Sequence, residues 1–144
     1  MQIYKNQKDL TAALTHLSEK DEKLAAAFEK YGTPPLRKRI GGFAGLAQIL
    51  VSQQVSTAAA ATIFARFETA MGELLPENLL ALDDATLSAV GLSRSKQRYL
   101  RILAEKIAGG ELDMKKLARA DNRTIYNSLV AITGIGPWSA ECYL

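Results

Sequence analysis

Cysteine and histidine are almost missing from this chain, with Cys142 and His16 the only residues of either kind among 144. A single cysteine excludes an internal disulfide framework, and one residue of each type is too few for a Cys/His zinc site. The expected compartment is therefore a reducing one. Long apolar runs are missing too. Nothing approaches the roughly 20 residues of a membrane-spanning helix. The N-terminal MQIYKNQKDL has neither the apolar stretch nor the small-residue cleavage site of a secretory leader. These absences predict a cytoplasmic protein with no membrane partner. Alternation of apolar and polar residues is also lacking, so no strand is expected. What is present is 48% hydrophobic residues, enough for one core without metal or disulfide support.

The formal charge of +3 suits a nucleic-acid partner but does not identify one. Its distribution says more. Basic residues gather in Arg37-Lys38-Arg39 and again in Arg94, Lys96, Arg98, Arg101 and Lys106, whereas acids concentrate between Glu19 and Glu29 and between Glu68 and Asp84. Taken singly, each basic cluster also reads as an ordinary solvated helix face.

Apolar residues recur at spacings of three and four, in a sequence rich in Ala and Leu, which predicts an all-α fold. Helices are expected from about Lys8 to Ser18 and from Glu22 to Tyr31, the second closed by Gly32 and the Thr33-Pro34-Pro35 break. Phe43, Leu46, Ala47, Leu50 and Val51 share one helix face. A helix from about Thr57 to Met71 turns Ile63, Phe64 and Phe67 inward and ends at Gly72. Pro76 suits a helix start, Asp83 or Asp84 can cap a short helix ending at Val90, and Gly91 closes it. Ser93 caps a longer helix that buries Leu100, Leu103, Ala104 and Ile107. A short helix around Met114 to Arg119 and another from Thr124 to Ala131, capped by Asn122, complete the series. The domain reading places N-terminal helices and a linker at 1–42 and a helical core at 43–144.

The most informative string is Leu129-Val130-Ala131-Ile132-Thr133-Gly134-Ile135-Gly136-Pro137-Trp138-Ser139-Ala140. It sets Gly-Ile-Gly between two helical stretches, with Pro137 in the first turn of the second. Two glycines allow a sharp turn and close approach of backbone to a ligand, and a helix N-terminus offers free N–H groups to an anion. Gly134, Gly136 and Ser139 are the candidate phosphate-binding amides, and Ile135 the anchor in the core. A plain helix-turn-helix corner would use the same glycines only to cap and clear space. The whole string matches the helix-hairpin-helix motif, which spans 129–144 here, and this favours contact with DNA.

A second string, Ile49-Leu50-Val51-Ser52-Gln53-Gln54-Val55-Ser56-Thr57-Ala58-Ala59-Ala60, accompanies the hairpin. Together they resemble the 3-methyladenine DNA glycosylase II branch of the helix-hairpin-helix glycosylase superfamily (HhH-GPD), over Phe43 to Leu144. The resemblance implies a base-excision repair enzyme that hydrolyses the N-glycosidic bond of alkylated bases in double-stranded DNA. It makes Gln54 the side chain that wedges into the duplex where the damaged nucleotide is extruded, with Gln53 beside it. From the residues alone, both glutamines read equally well as helix-end caps. Trp138 becomes the aromatic platform for a cationic flipped base, with Cys142 one turn on along the same face; the plain alternatives are a tryptophan packed in the hairpin and an inert buried cysteine. The carbonyls of Val130, Ile132 and Ile135 would hold a Na+ or K+ ion bridging to phosphate, and no cofactor is needed for the chemistry. Arg94, Lys96 and Arg98 are further phosphate candidates.

Trp138 also stands where bifunctional relatives carry a nucleophilic lysine, which implies a monofunctional mechanism. That mechanism needs an aspartate to stabilise the oxocarbenium-like sugar and direct water to it. Here the sequence departs from the family. Its aspartates, Asp9, Asp21, Asp83, Asp84, Asp113 and Asp121, all precede Gly134. The family's aspartate lies after the second hairpin helix, beyond Leu144, as do its closing helices. The expectation is a C-terminally truncated, catalytically incomplete chain whose apolar faces at Leu10, Leu14, Leu17, Leu24 and Phe28 promote self-association. Two other readings compete: a non-catalytic helix-hairpin-helix clamp on the DNA backbone, and a helical interaction domain without salt-dependent DNA affinity.

Overall fold

The computed structural model describes residues 6–36 and 40–144. The basic cluster Arg37-Lys38-Arg39 lies outside the described residues. Among these residues there are ten helices and no strand. The chain divides into two compact units, Met1–Lys38 and Arg39–Leu144.

The first unit pairs α1 (Gln7–Ser18) with α2 (Glu22–Tyr31). Asn6 and Asp9 form a reciprocal capping box at the start of α1, and Asp21 caps α2. Gln7 ties down the segment after α2, donating to the Pro34 carbonyl at 2.7 Å and accepting from the Leu36 amide at 2.9 Å. Neither helix contains a buried residue. Leu14, Leu17, Leu24, Phe28, Tyr31 and Pro34 line an apolar groove of about 290 Å³ between them.

The second unit is organised around α3 (Gly42–Ser52). One apolar face was expected on this helix. In the structure Gly45 and Ile49 are buried as well as Phe43, Leu46, Ala47, Leu50 and Val51, so burial runs most of the way round. The reason is that three helices pack on it: α4 (Thr57–Met71), α7 (Arg94–Ala108) and α10 (Pro137–Tyr143). The short helices α5 (Pro76–Ala81) and α6 (Asp84–Ala89) pack against α7. Then α8 (Met114–Leu117) leads to α9 (Asn122–Val130), which packs against α10. Phe64 and Phe67 from α4, Leu100, Leu103 and Ala104 from α7, and Leu129, Ile132 and Ile135 near the C-terminus complete one continuous core. Ile63 and Ile107 lie only partly buried at its edge.

Asp83 and Ser93 cap α6 and α7 as expected, and Ser56 and Asp113, which the sequence reading did not single out, likewise accept backbone N–H groups at the start of α4 and α8. The start of α9 differs from expectation, because Asp121 rather than Asn122 is its cap. Asp121 accepts from both the amide and the hydroxyl of Thr124, two bonds from one carboxylate. Helix N–H groups hold the capping carboxyls below the usual range: that of Thr86 foremost for Asp83, and that of Lys116 foremost for Asp113. For Asp121 the Thr124 hydroxyl is the largest influence. Among the described residues no helix is long and apolar enough to cross a membrane.

Gly45 sits where α3 has no room for a side chain. A Cβ there would lie 1.8 Å from the Ile40 carbonyl oxygen and 3.7 Å from the Tyr143 ring. Replacing a helix-interior glycine by alanine ordinarily gains about 1 kcal/mol. Backbone displacement at this contact outweighs that gain, so Gly45→Ala is expected to cost about 1–3 kcal/mol. Urea unfolding checks it, and an unchanged or raised midpoint would refute the contact.

Candidate nucleic-acid interface

The turn between α9 and α10 brings Gly134, Ile135 and Gly136 to one corner of the second unit. Ile132 and Ile135 are each 4% exposed and anchor the turn from beneath. The two glycines differ in why they are needed. Gly134 has φ +95°, and a Cβ there would lie 2.2 Å from Cγ of Tyr99 on α7. The fold itself therefore demands glycine at 134. Gly136 has φ −87° and nothing within 4 Å of where a Cβ would stand. Its lack of a side chain leaves open space above the start of α10. Among the described residues, the amides of Gly134, Gly136 and Ser139 have no acceptor.

On the inner side of the turn, the Ile132 carbonyl accepts the Ile135 amide at 3.0 Å. No donor among the described residues reaches the carbonyls of Val130 or Ile135. Two carbonyls without donors, and a third with a lone pair to spare, suit a monovalent cation, which takes oxygen ligands and no acidic partner. Among the described residues no group of acidic, histidine or cysteine side chains could hold a metal ion.

Trp138 follows in the first turn of α10. It is 60% exposed, so it is not packed in the hairpin core. Cys142, half-buried, lies one helical turn further along. At the other end of α10 the Tyr143 hydroxyl accepts the Gly42 amide at 3.0 Å, which fixes α10 to the start of α3.

The Gln53-Gln54 loop joins α3 to α4 and meets the hairpin directly. Gln54 is exposed and has φ +55°, the one described non-glycine residue with positive φ. For an L-residue this conformation costs about 1–2 kcal/mol. Gln53 is placed differently. It turns inward, its Nε2 donating to the Gly134 carbonyl at 3.0 Å and to the Ser139 hydroxyl at 2.9 Å. Its amide nitrogen is thus used within the protein rather than offered outward beside Gln54.

The α7 basic cluster also divides. Lys96 donates to the Val51 carbonyl at 2.7 Å, closing the end of α3, and burial pushes its ammonium pKa down. Arg101 binds the Leu82 carbonyl and Asp84, and Lys106 pairs with Glu111 at 2.6 Å. Arg94 and Arg98 have no ion-pair partner among the described residues. They line an open depression of about 720 Å³ together with Arg101, Gln97, Asp84 and Glu105. The Arg98 guanidinium stands 5.4 Å from the centre of the Tyr99 ring, the same tyrosine that packs on Gly134. Sequence reasoning missed the parts played by Tyr99, Tyr143 and Lys96. No local signal marks them, since each acts on a residue more than 30 positions away.

The aspartates serve structural ends. Asp9, Asp21, Asp83, Asp113 and Asp121 bond to helix starts, and Asp84 pairs with Arg101.

Residues 47–136 match the family model of the HhH-GPD superfamily base excision DNA repair protein. DNA-3-methyladenine glycosylase 1 of Schizosaccharomyces pombe is 31% identical over 142 residues, which are 94% of this chain and 62% of that protein. The Saccharomyces cerevisiae DNA-3-methyladenine glycosylase is 36% identical over 112 residues, covering 71% of this chain and 38% of its own length. Among solved structures, the S. pombe 3-methyladenine DNA glycosylase in complex with abasic DNA superposes with a TM-score of 0.82 at 30% identity, over 91% of this chain and 67% of that one. The chain thus spans about half the length of the curated relatives it matches. With its hairpin, its glutamine loop and a matched segment of 90 residues, the chain belongs to the HhH-GPD superfamily of base-excision DNA repair proteins.

Proposed function

We propose that this chain carries the lesion-recognising part of a monofunctional DNA glycosylase of the 3-methyladenine type. The observation that carries the reading is the pair of hydrogen bonds from Gln53 to Gly134 and Ser139, which join the glutamine loop to the hairpin. One edge of the protein then offers three things that a base-excising enzyme needs. The Gly134, Gly136 and Ser139 amides hold a phosphate, with Arg94 and Arg98 adding positive charge. Gln54 enters the duplex and fills the space left by the extruded nucleotide. Trp138 stacks on the flipped base, with Cys142 at the side of the same pocket. Cationic alkylated purines suit an aromatic face, which is why this class of lesion is favoured. A monovalent cation bound by the Val130, Ile132 and Ile135 carbonyls would add positive charge beside the phosphate.

The reaction is hydrolysis: the bond between the sugar C1′ and the base nitrogen breaks, water adds to C1′, and the base leaves. Protein groups must stabilise the positive sugar and take a proton from the water. None of the six aspartates is free for this task, each being tied to a helix start or to Arg101. On this reading none of these aspartates is the carboxylate, and the chain by itself binds DNA without releasing bases. For the chain alone we also propose self-association through the apolar groove of the first unit. Sedimentation is expected to show a mass that rises with concentration and falls back with Leu17→Glu, and a monomer at all concentrations refutes it.

A clamp that only grips DNA would use the hairpin but have no need of an exposed tryptophan or of a strained glutamine in the loop bonded to the hairpin. Two variants of the hairpin separate DNA contact from folding. Gly136→Val is expected to lower affinity for undamaged duplex about tenfold while lowering the thermal midpoint less than Gly134→Ala does, since it changes only the cap of α10. Gly134→Ala should instead destabilise the fold, because Tyr99 must move. Full affinity in a folded Gly136→Val protein would reject the phosphate contact. In a longer form that includes the catalytic carboxylate, Trp138→Ala is expected to reduce release of alkylated bases far more than binding to undamaged duplex. Equal loss of both would remove Trp138 from the pocket.

A further inference from the structure

We propose that Gln53 is a positioning residue that couples the hairpin to the wedge, so that capture of the DNA backbone at Gly134 to Ser139 fixes where Gln54 enters the duplex. The inference rests on the reading of Gln54 as the wedge.

Gln53 ends α3, and its backbone amide still bonds to the Leu50 carbonyl. Its side chain crosses to the hairpin, where Nε2 bonds both the Gly134 carbonyl and the Ser139 hydroxyl. An amide nitrogen has two hydrogens, so both are used and the side chain is held in one orientation. The acceptors are separate parts of the candidate phosphate site: Gly134 belongs to the turn and Ser139 to the first turn of α10. Displacement of either one pulls on Gln53.

The next residue is Gln54, with φ +55°. An L-residue keeps such a conformation only where its flanks impose it. On one side Ser56 caps α4 and so fixes the exit of the loop. On the other, Lys96 holds the Val51 carbonyl, and Gln53 follows two residues later. Among the described residues, Gln53 is the member of this loop that bonds to the hairpin. The chemistry also selects an amide. Glutamate would set a carboxylate against the Gly134 carbonyl, and leucine would fill the space while leaving that carbonyl without its donor.

The test is equilibrium binding of the 144-residue chain to a labelled duplex carrying a tetrahydrofuran abasic site, and to the undamaged duplex. Wild type, Gln53→Leu, Gln54→Ala and the double variant are compared. Gln54→Ala is expected to reduce the preference for the abasic duplex about tenfold, and Gln53→Leu by a similar factor. Since Gln53 acts through Gln54, the double variant should be no worse than Gln54→Ala. Gln53→Leu lowering the preference equally in both backgrounds overturns the coupling, as does no effect of Gln53→Leu. If Gln54→Ala itself changes nothing, the wedge reading fails and the coupling with it. Lack of binding to either duplex overturns the hairpin reading and the coupling together. If Gln53→Leu does not fold, Ser139→Ala removes one acceptor and leaves Gln53 in place. It is expected to lower abasic preference only when Gln54 is present, and full preference in folded Ser139→Ala overturns the coupling.

Discussion

Everything at the candidate interface depends on the burial of α3. A helix with Phe43, Gly45, Leu46, Ala47, Ile49, Leu50 and Val51 all buried can neither rotate nor slide without opening the core around it. Its ends are fixed as firmly as its sides, at Gly42 by the Tyr143 hydroxyl and at Val51 by the Lys96 ammonium. Deleting a buried leucine such as Leu46 or Leu50 would cost about 3 kcal/mol. The residues that follow α3 therefore leave from a rigid point, and that rigidity lets a short loop hold the unfavourable backbone angle at Gln54.

The helix α10 puts the same rigidity to a second use. It packs on α3 and on α9, with Ala140 and Ser139 buried, while Gly136, Pro137 and Trp138 face solvent. A large aromatic side chain exposed at the start of a helix gains nothing for the fold from burial. Beside it stands Gly136, the cap of α10, where no neighbour would clash with a side chain. An open glycine and a mostly exposed tryptophan thus occur within three residues, next to the strained Gln54 loop. Their shared position supports a surface made for a ligand with both a phosphate and a flat ring.

The two hairpin glycines show how differently one sequence signal can be used. A Gly-Ile-Gly string predicts a sharp turn and cannot say which glycine serves the fold. Only the position of Tyr99, 35 residues earlier, makes Gly134 structurally necessary and leaves Gly136 free for contact. The α7 basic residues divide in a similar way. Lys96 and Arg101 complete backbone carbonyls within the protein, whereas Arg94 and Arg98 face outward, although their charge and spacing look alike in sequence.

Local sequence determined the helices, since the three-and-four periodicity, the capping Ser and Asp residues and the closing glycines act within a few positions of one another. The periods from Glu22 to Tyr31 and from Thr57 to Met71 reappear unchanged in the structure. It also marked the hairpin and the glutamine pair, because both motifs are contiguous strings. Tertiary structure decided the rest: that α3 is buried on several sides, that Asp121 outcompetes Asn122 as a cap, and that Gln53 turns inward while Gln54 stays out. Each of those outcomes depends on a partner's place in space. A hydrogen bond between residues 53 and 139 leaves no trace in the spacing of either one, so only packing around α3 could determine it.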